Sequence, residues 1–135
     1  MALLRLEHLL VLTDDMDGTK DFYCGALGLE VGDRPPLEFP GYWLYVEGVP
    51  CIHVADRAAF AEHSERLGMR ASPEADGTGA VDHVAFNGGD YDEVISRLER
   101  RGVKRTENTI PGAGIRQVFV HDPNGVKIEI NVPPE

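Results

Sequence analysis

The 135-residue sequence predicts an α+β fold made of two successive βαβββ modules, and three observations predict it. Leu6-Glu7-His8-Leu9-Leu10-Val11 and Val81-Asp82-His83-Val84-Ala85-Phe86 both read as strands with a histidine third. Cys51-Ile52-His53-Val54 and Lys127-Ile128-Glu129-Ile130 are short strands with an ionisable residue third, and their separation along the chain nearly equals that of the first pair. Between each pair, an acidic start leads through an amphipathic run to a Gly-apolar step.

The elements follow in order. After the first strand, Asp14-Asp15-Met16-Asp17 supplies the negative charge that suits a helix N-terminus, and the helix runs through Phe22, Tyr23 and Leu27 to Gly28. Gly28-Leu29 reads as a C-cap leading into a strand. The stiff loop Arg34-Pro35-Pro36-Leu37-Glu38-Phe39-Pro40 enters the hairpin Gly41-Tyr42-Trp43-Leu44-Tyr45-Val46. A two-residue turn at Glu47-Gly48 would place Tyr42 opposite His53, with Trp43 and Tyr45 in the core. The second module repeats the plan from Asn87-Gly88-Gly89-Asp90 through Val94, Ile95 and Leu98 to Gly102-Val103. Its last hairpin turns at Asp122-Pro123-Asn124-Gly125, a type I turn with glycine in the left-handed position, which puts Phe119 opposite Glu129. Module one spans about residues 4–55, the linker 56–79 and module two about 80–132, within one domain of residues 1–135. In the linker, Arg57 to Leu67 is expected helical and Ser72 to Gly79 a loop.

Bulk composition narrows the function. With 42% hydrophobic and 27% charged residues, the chain is an ordinary globular sequence. A net charge of −10 argues against nucleic acid and against an anionic membrane surface. It leaves room for an anionic small molecule met by one arginine in a cleft. No run approaches the roughly 18 apolar residues of a membrane span, and residues 1–8 lack the pattern of a signal peptide, so a cytoplasmic location is expected. Cys24 and Cys51 fit no CxxC pattern.

Strand parity locates the chemistry. Glu129 shares its face with Lys127 and Asn131, His53 with Cys51 and Ala55, and His83 with Ala85 and Asn87, while the larger apolar residues lie opposite. A curved sheet accounts for this, with helices on its apolar outer face and polar residues lining a concave inner face. The His8 strand is less clear, because Leu6, Leu10 and Leu12 share its parity. The repeat makes His8, His53, His83 and Glu129 four equivalent positions. Imidazoles and a carboxylate near one pseudo-twofold axis suit Zn, Fe, Mn, Co or Ni, and a shared metal would answer the cost of burying such groups unpaired.

Four stretches in series resemble the glyoxalase, bleomycin-resistance and extradiol-dioxygenase group, the vicinal-oxygen-chelate superfamily. They are the His8 strand, Asp21-Phe22-Tyr23-Cys24-Gly25-Ala26-Leu27-Gly28-Leu29, the strand Asp82-His83-Val84-Ala85-Phe86, and the ending from Phe119 through Asp122-Pro123-Asn124-Gly125 to Glu129. The resemblance implies paired βαβββ modules forming a cupped, mostly antiparallel sheet around one divalent metal. It implies His8, His83 and Glu129 as ligands, with two neighbouring substrate oxygens bound to the metal. His53 stands where glyoxalase-type lyases usually carry a carboxylate or Gln. It is a possible fourth ligand, or the separate acid/base histidine of ring-cleaving dioxygenases.

A two-histidine, one-carboxylate set leaves positions open for Fe(II), substrate and O₂. The favoured reading is therefore an Fe(II) ring-cleaving dioxygenase of a small hydroxylated aromatic, with Mn, Ni, Co or Zn as other metals. The alternatives are a glyoxalase-like lyase or isomerase working through an enediolate, and a non-catalytic antibiotic-binding protein. Tyr42 is expected beside His53 as a catalytic and substrate-binding hydroxyl, with Phe119, Gln117 and Arg34 as further substrate-binding candidates. Phe119 departs from the Tyr often found at its place in ring-cleaving members. Arg116 and His121 are weaker candidates, and His63 is expected solvated. The resemblance further implies a homodimer, with the site within one chain or across two.

Overall fold

A computed structural model describes residues 2–134; the two ends of the 1–135 span, Met1 and Glu135, lie outside the described residues. Two four-stranded sheets and three α-helices make the α+β fold. The chain divides into two compact units, one comprising the residues through Cys24 with Leu29–Pro73, the other Gly25–Gly28 with Glu74 onward. Among the described residues no helix is long and apolar enough to cross a membrane.

The first unit contains β1 (Leu9–Thr13), α1 (Met16–Asp21), β2 (Glu30–Gly32), β3 (Gly41–Val46), β4 (Val49–Asp56) and α2 (Arg57–Arg66). Its sheet runs β1-β4-β3-β2, with β1 parallel to β4 and the other pairs antiparallel. The second unit contains β5 (Val84–Asn87), α3 (Tyr91–Arg100), β6 (Thr106–Thr109), β7 (Arg116–His121) and β8 (Lys127–Val132). Its order is β5-β8-β7-β6, again with only the first pair parallel. Each unit thus carries the sheet of one βαβββ module, in which a helix takes the chain on from the first strand and the last strand returns parallel to it.

The equivalence reaches single hydrogen bonds. Leu10 pairs with His53 in β1/β4, and Ala85 pairs with Glu129 in β5/β8. Asp15 caps α1 by accepting from the Gly18 amide at 3.0 Å. Asp90, its counterpart in the repeat, caps α3 by accepting from the Glu93 amide at 3.2 Å. After α1 the chain continues as a π-helical turn, Phe22–Ala26, and the Leu29 amide bonds back to the Tyr23 carbonyl at 3.0 Å. Tyr23, Ala26 and Leu29 are buried. The aromatic-to-glycine stretch therefore serves packing.

The apolar parity of each sheet is the buried one. In β8, Ile128, Ile130 and Val132 are buried while Lys127, Glu129 and Asn131 are partly exposed. A Cβ on Gly88 would meet the side chains of Ile130, Val132 and Val94, so α3 packs on that face. The ambiguous β1 resolves the same way, with Val11 and Thr13 buried and Leu10 38% exposed. The His8 parity is therefore the open face. Both histidine strands are shorter than expected: β1 begins at Leu9 and β5 at Val84, so His8 and His83 each stand one residue before the strand.

The two caps generate a stability prediction. Asp15→Ala and Asp90→Ala should each cost about 1 kcal/mol in urea unfolding, and Asn at either position should recover most of it.

Candidate functional site

The parallel pairs β1/β4 and β5/β8 position the four ionisable residues, two in each unit. In the first unit His8 stacks on His53, ring centroids 3.7 Å apart and 11° between planes. The other ring on His53 is Trp43, at 4.1 Å and 12°. His53 is 9% exposed, and its Nε2 lies 3.0 Å from the Pro50 carbonyl. A carbonyl only accepts, so Nε2 carries the proton and the lone pair of the neutral ring sits on Nδ1. Burial first, then neighbouring His8, push His53 below the ordinary imidazole value, and the bond to Pro50 opposes them.

Tyr42 is not where the turn predicted. The hairpin does turn in two residues, with Val46 paired to Val49 and positive φ at Glu47 and Gly48. A register shift between Leu44 and Val46 then moves the rest by one, so that Trp43 faces His53 and Tyr42 faces Val54. The Tyr42 hydroxyl donates to Asp17 at 2.7 Å, with Lys20 above its ring, so the geometric ground for placing it beside His53 is gone. Trp43, expected in the core, is the ring against His53. It is also the repeat counterpart of Phe119, which pairs with Glu129 as expected.

Arg34 folds back on its own loop, donating to the Phe39 carbonyl at 2.6 Å with its guanidinium over the Phe39 ring. Its charge is the smallest of the influences that lower His53, after burial and His8. His63 is not solvated as expected. It packs against Phe39 and Phe60, and its Nδ1 lies 3.6 Å from Glu38. Arg116 lies over Tyr91, and His121 is exposed.

The second unit surrounds Glu129 with amides. Gln117 donates to Glu129 at 3.1 Å and to Asn131 at 3.1 Å, and Asn131 donates to the other Glu129 oxygen at 2.9 Å. Asn108 in turn donates to Gln117 at 2.8 Å. Two amide donors hold the carboxylate in one orientation. The His83 Nε2 is 3.8 Å from it.

His8 and His83 each also have an acidic partner directly before them in the chain. His8 Nδ1 is 2.9 Å from Glu7, and His83 Nδ1 is 2.8 Å from Asp82. Asp82 further pairs with Lys127 at 2.9 Å, and His83 and Lys127 hold its carboxyl below the usual range. Glu7, Asp82 and Trp43 are site residues that the strand pattern did not single out, and Asn131 was placed on the face of Glu129 without a role. The signal for the first two was an acidic residue before each repeat histidine.

The sites fall as two half-sets, His8 with His53 and His83 with Glu129. Among the described residues, no three His, Cys, Asp or Glu side chains are gathered about a point fit for a metal ion. The donor chemistry fits a first-row divalent metal: imidazole nitrogens, and a carboxylate already held by second-layer amides.

Residues 5–130 match the family described as the Glyoxalase/Bleomycin resistance protein/Dioxygenase superfamily. The chain belongs to that superfamily. It is 32% identical over 133 residues to Glyoxylase I 4 of Arabidopsis thaliana, covering 96% of this chain and 71% of that protein. Among solved structures, it is similar to lactoylglutathione lyase from Agrobacterium tumefaciens, with TM-score 0.70, 20% identity, and 95% and 92% of the two chains covered. It is also similar to TnmS3, an antibiotic-binding protein from Streptomyces sp. CB03234, with TM-score 0.66, 23% identity, and 98% of each chain covered. These two likenesses show the superfamily fold, which hosts more than one activity.

The depressed His53 sets a sign for acid stability. The unfolded chain binds that proton more readily than the folded one, so this stability is present above the ordinary imidazole value and lost as pH falls through it. Urea unfolding of metal-free protein should show the loss, and His53→Gln should flatten it.

Proposed function

We propose that this superfamily member is a divalent-metal-dependent enzyme acting on a small molecule with two neighbouring oxygens, by proton transfer of the glyoxalase lyase or isomerase type. One observation carries the reading. Glu129 is clamped by Gln117 and Asn131, one amide on each oxygen, with the His83 Nε2 3.8 Å away. That is how metal ligands are held. His8, His83 and Glu129 are the proposed ligands. The metal would supply charge stabilisation to oxygens of the substrate.

His53 is the proposed proton carrier. Its Nε2 is committed to Pro50, so Nδ1 accepts the proton. The Trp43 ring stacked on it offers a π face to the imidazolium so formed. Gln117 and Phe119, on the face of Glu129, and Arg34, beside Gly41 at the start of β3, are the proposed substrate contacts. The 32% identity to a protein named as a glyoxylase supports this class.

Ring cleavage with Fe(II) is the second reading. It is favoured by His53 standing where the repeat puts Glu129, which leaves two histidines and one carboxylate for the metal. Against it, Phe119 has no hydroxyl and the Tyr42 hydroxyl is given to Asp17.

Metal titration and turnover test these proposals. Wild type should bind one divalent ion per chain and migrate as a homodimer, and His83→Ala or Glu129→Ala should weaken binding at least about 100-fold. Reconstitution with Ni, Co, Zn or Mn should give hemithioacetal turnover, reduced about 100-fold or more by His53→Ala. O₂ uptake with Fe(II) and catechol or gentisate, without hemithioacetal turnover, would instead establish the second reading. Unchanged metal binding in His83→Ala would remove His83 from the ligand set, and no metal binding by wild type would remove the metal reading.

A further inference from the structure

We propose that Glu7 and Asp82 are positioning residues, each accepting the Nδ1 proton of the histidine that follows it and so leaving the Nε2 lone pair of His8 and of His83 as the ligating atom. The inference rests on the metal reading above and extends it to two residues outside the ligand set.

The chemistry begins with the acceptor. An ionised carboxylate has no proton to give, so a ring nitrogen at hydrogen-bond distance from it must be the donor. Glu7 stands 2.9 Å from His8 Nδ1 and Asp82 stands 2.8 Å from His83 Nδ1. In the neutral ring the proton is then on Nδ1 and the lone pair on Nε2. The Nε2 of His83 is the atom turned toward Glu129, at 3.8 Å. His53 has the opposite arrangement, because its Nε2 donates to Pro50. Three histidines thus divide into two tautomers, and the division follows their proposed roles as ligands or proton carrier.

Stability does not explain the two acidic residues. The Glu7 and Asp82 side chains are 74% and 71% exposed, and such exposed pairs contribute little to folding. The repeat supplies a separate argument. Glu7 and Asp82 are separated along the chain by the same offset as His8 and His83, although one side chain is a methylene longer. Lys127 adds a second hold on Asp82, at 2.9 Å. A carboxylate on a ligand imidazole both orients the ring and raises its basicity.

Long-range proton–nitrogen correlation NMR on metal-free protein, above the imidazole titration range, reads the tautomers directly. His8 and His83 should show protonated Nδ1 and bare Nε2, and His53 the reverse. In Glu7→Gln and Asp82→Asn the new amide N–H competes to donate to Nδ1, so the Nε2–H form should appear at the adjacent histidine. Zn affinity, measured by competition with a chelating dye, should fall about 10- to 100-fold. Glu7→Asp and Asp82→Glu should retain most of the affinity, and thermal unfolding of all four variants should match wild type. Nε2–H at His8 and His83 in wild type overturns the proposal. So does wild-type Zn affinity in Glu7→Gln and Asp82→Asn. Failure of wild type itself to bind Zn, with the tautomers as expected, overturns the metal reading and with it the ligand role assigned here.

Discussion

The parallel pairing of the first and last strands of each module is the constraint on which the rest depends. A parallel pair cannot close through a tight turn, so each module needs its helix and a three-strand return. That return delivers β4 beside β1 and β8 beside β5. The register then sets Leu10 against His53 and Ala85 against Glu129, which brings the preceding histidine of each module next to the ionisable residue of its last strand. A slip of one residue in either pair would turn that residue into the buried apolar face.

The antiparallel return is less strictly repeated. In the second module the Asp122 side chain accepts from the Asn124 and Val126 amides, and the three-residue loop keeps Phe119 on Glu129. In the first module a tight turn is followed by a one-residue irregularity. Both routes end with an aromatic residue paired across from the ionisable one, Trp43 with His53 and Phe119 with Glu129. The rings differ in consequence. Trp43 is stacked face to face on an imidazole, where a π face meets any charge that forms. Phe119 lies across from a carboxylate that takes its hydrogen bonds from Gln117 and Asn131.

Hydrogen-bond direction separates residues of like chemistry. His8, His53 and His83 are the same side chain at repeat-related places, yet a carboxylate partner leaves one nitrogen bare and a carbonyl partner leaves the other. The chain carries a net charge of −10, and part of that excess is local. Acidic side chains cap both module helices and engage both strand-entry histidines. The electrostatics are therefore short-ranged and specific, each carboxylate meeting a particular N–H.

The sequence by itself determined the module order, the β1/β4 and β5/β8 equivalence, the helix starts, the Phe119–Glu129 register and the superfamily resemblance. These are readable because strand parity, acidic N-caps and the Asp-Pro-Asn-Gly turn act over a few residues, and a repeat displays each of them twice. Only the tertiary structure decided that Trp43 replaces Tyr42 against His53, that Arg34 bonds Phe39, that His63 packs between Phe39 and Phe60, and which nitrogen of each histidine carries its proton. A strand irregularity leaves no compositional mark, and a ring tautomer is set by whichever donor or acceptor the folded chain brings to it.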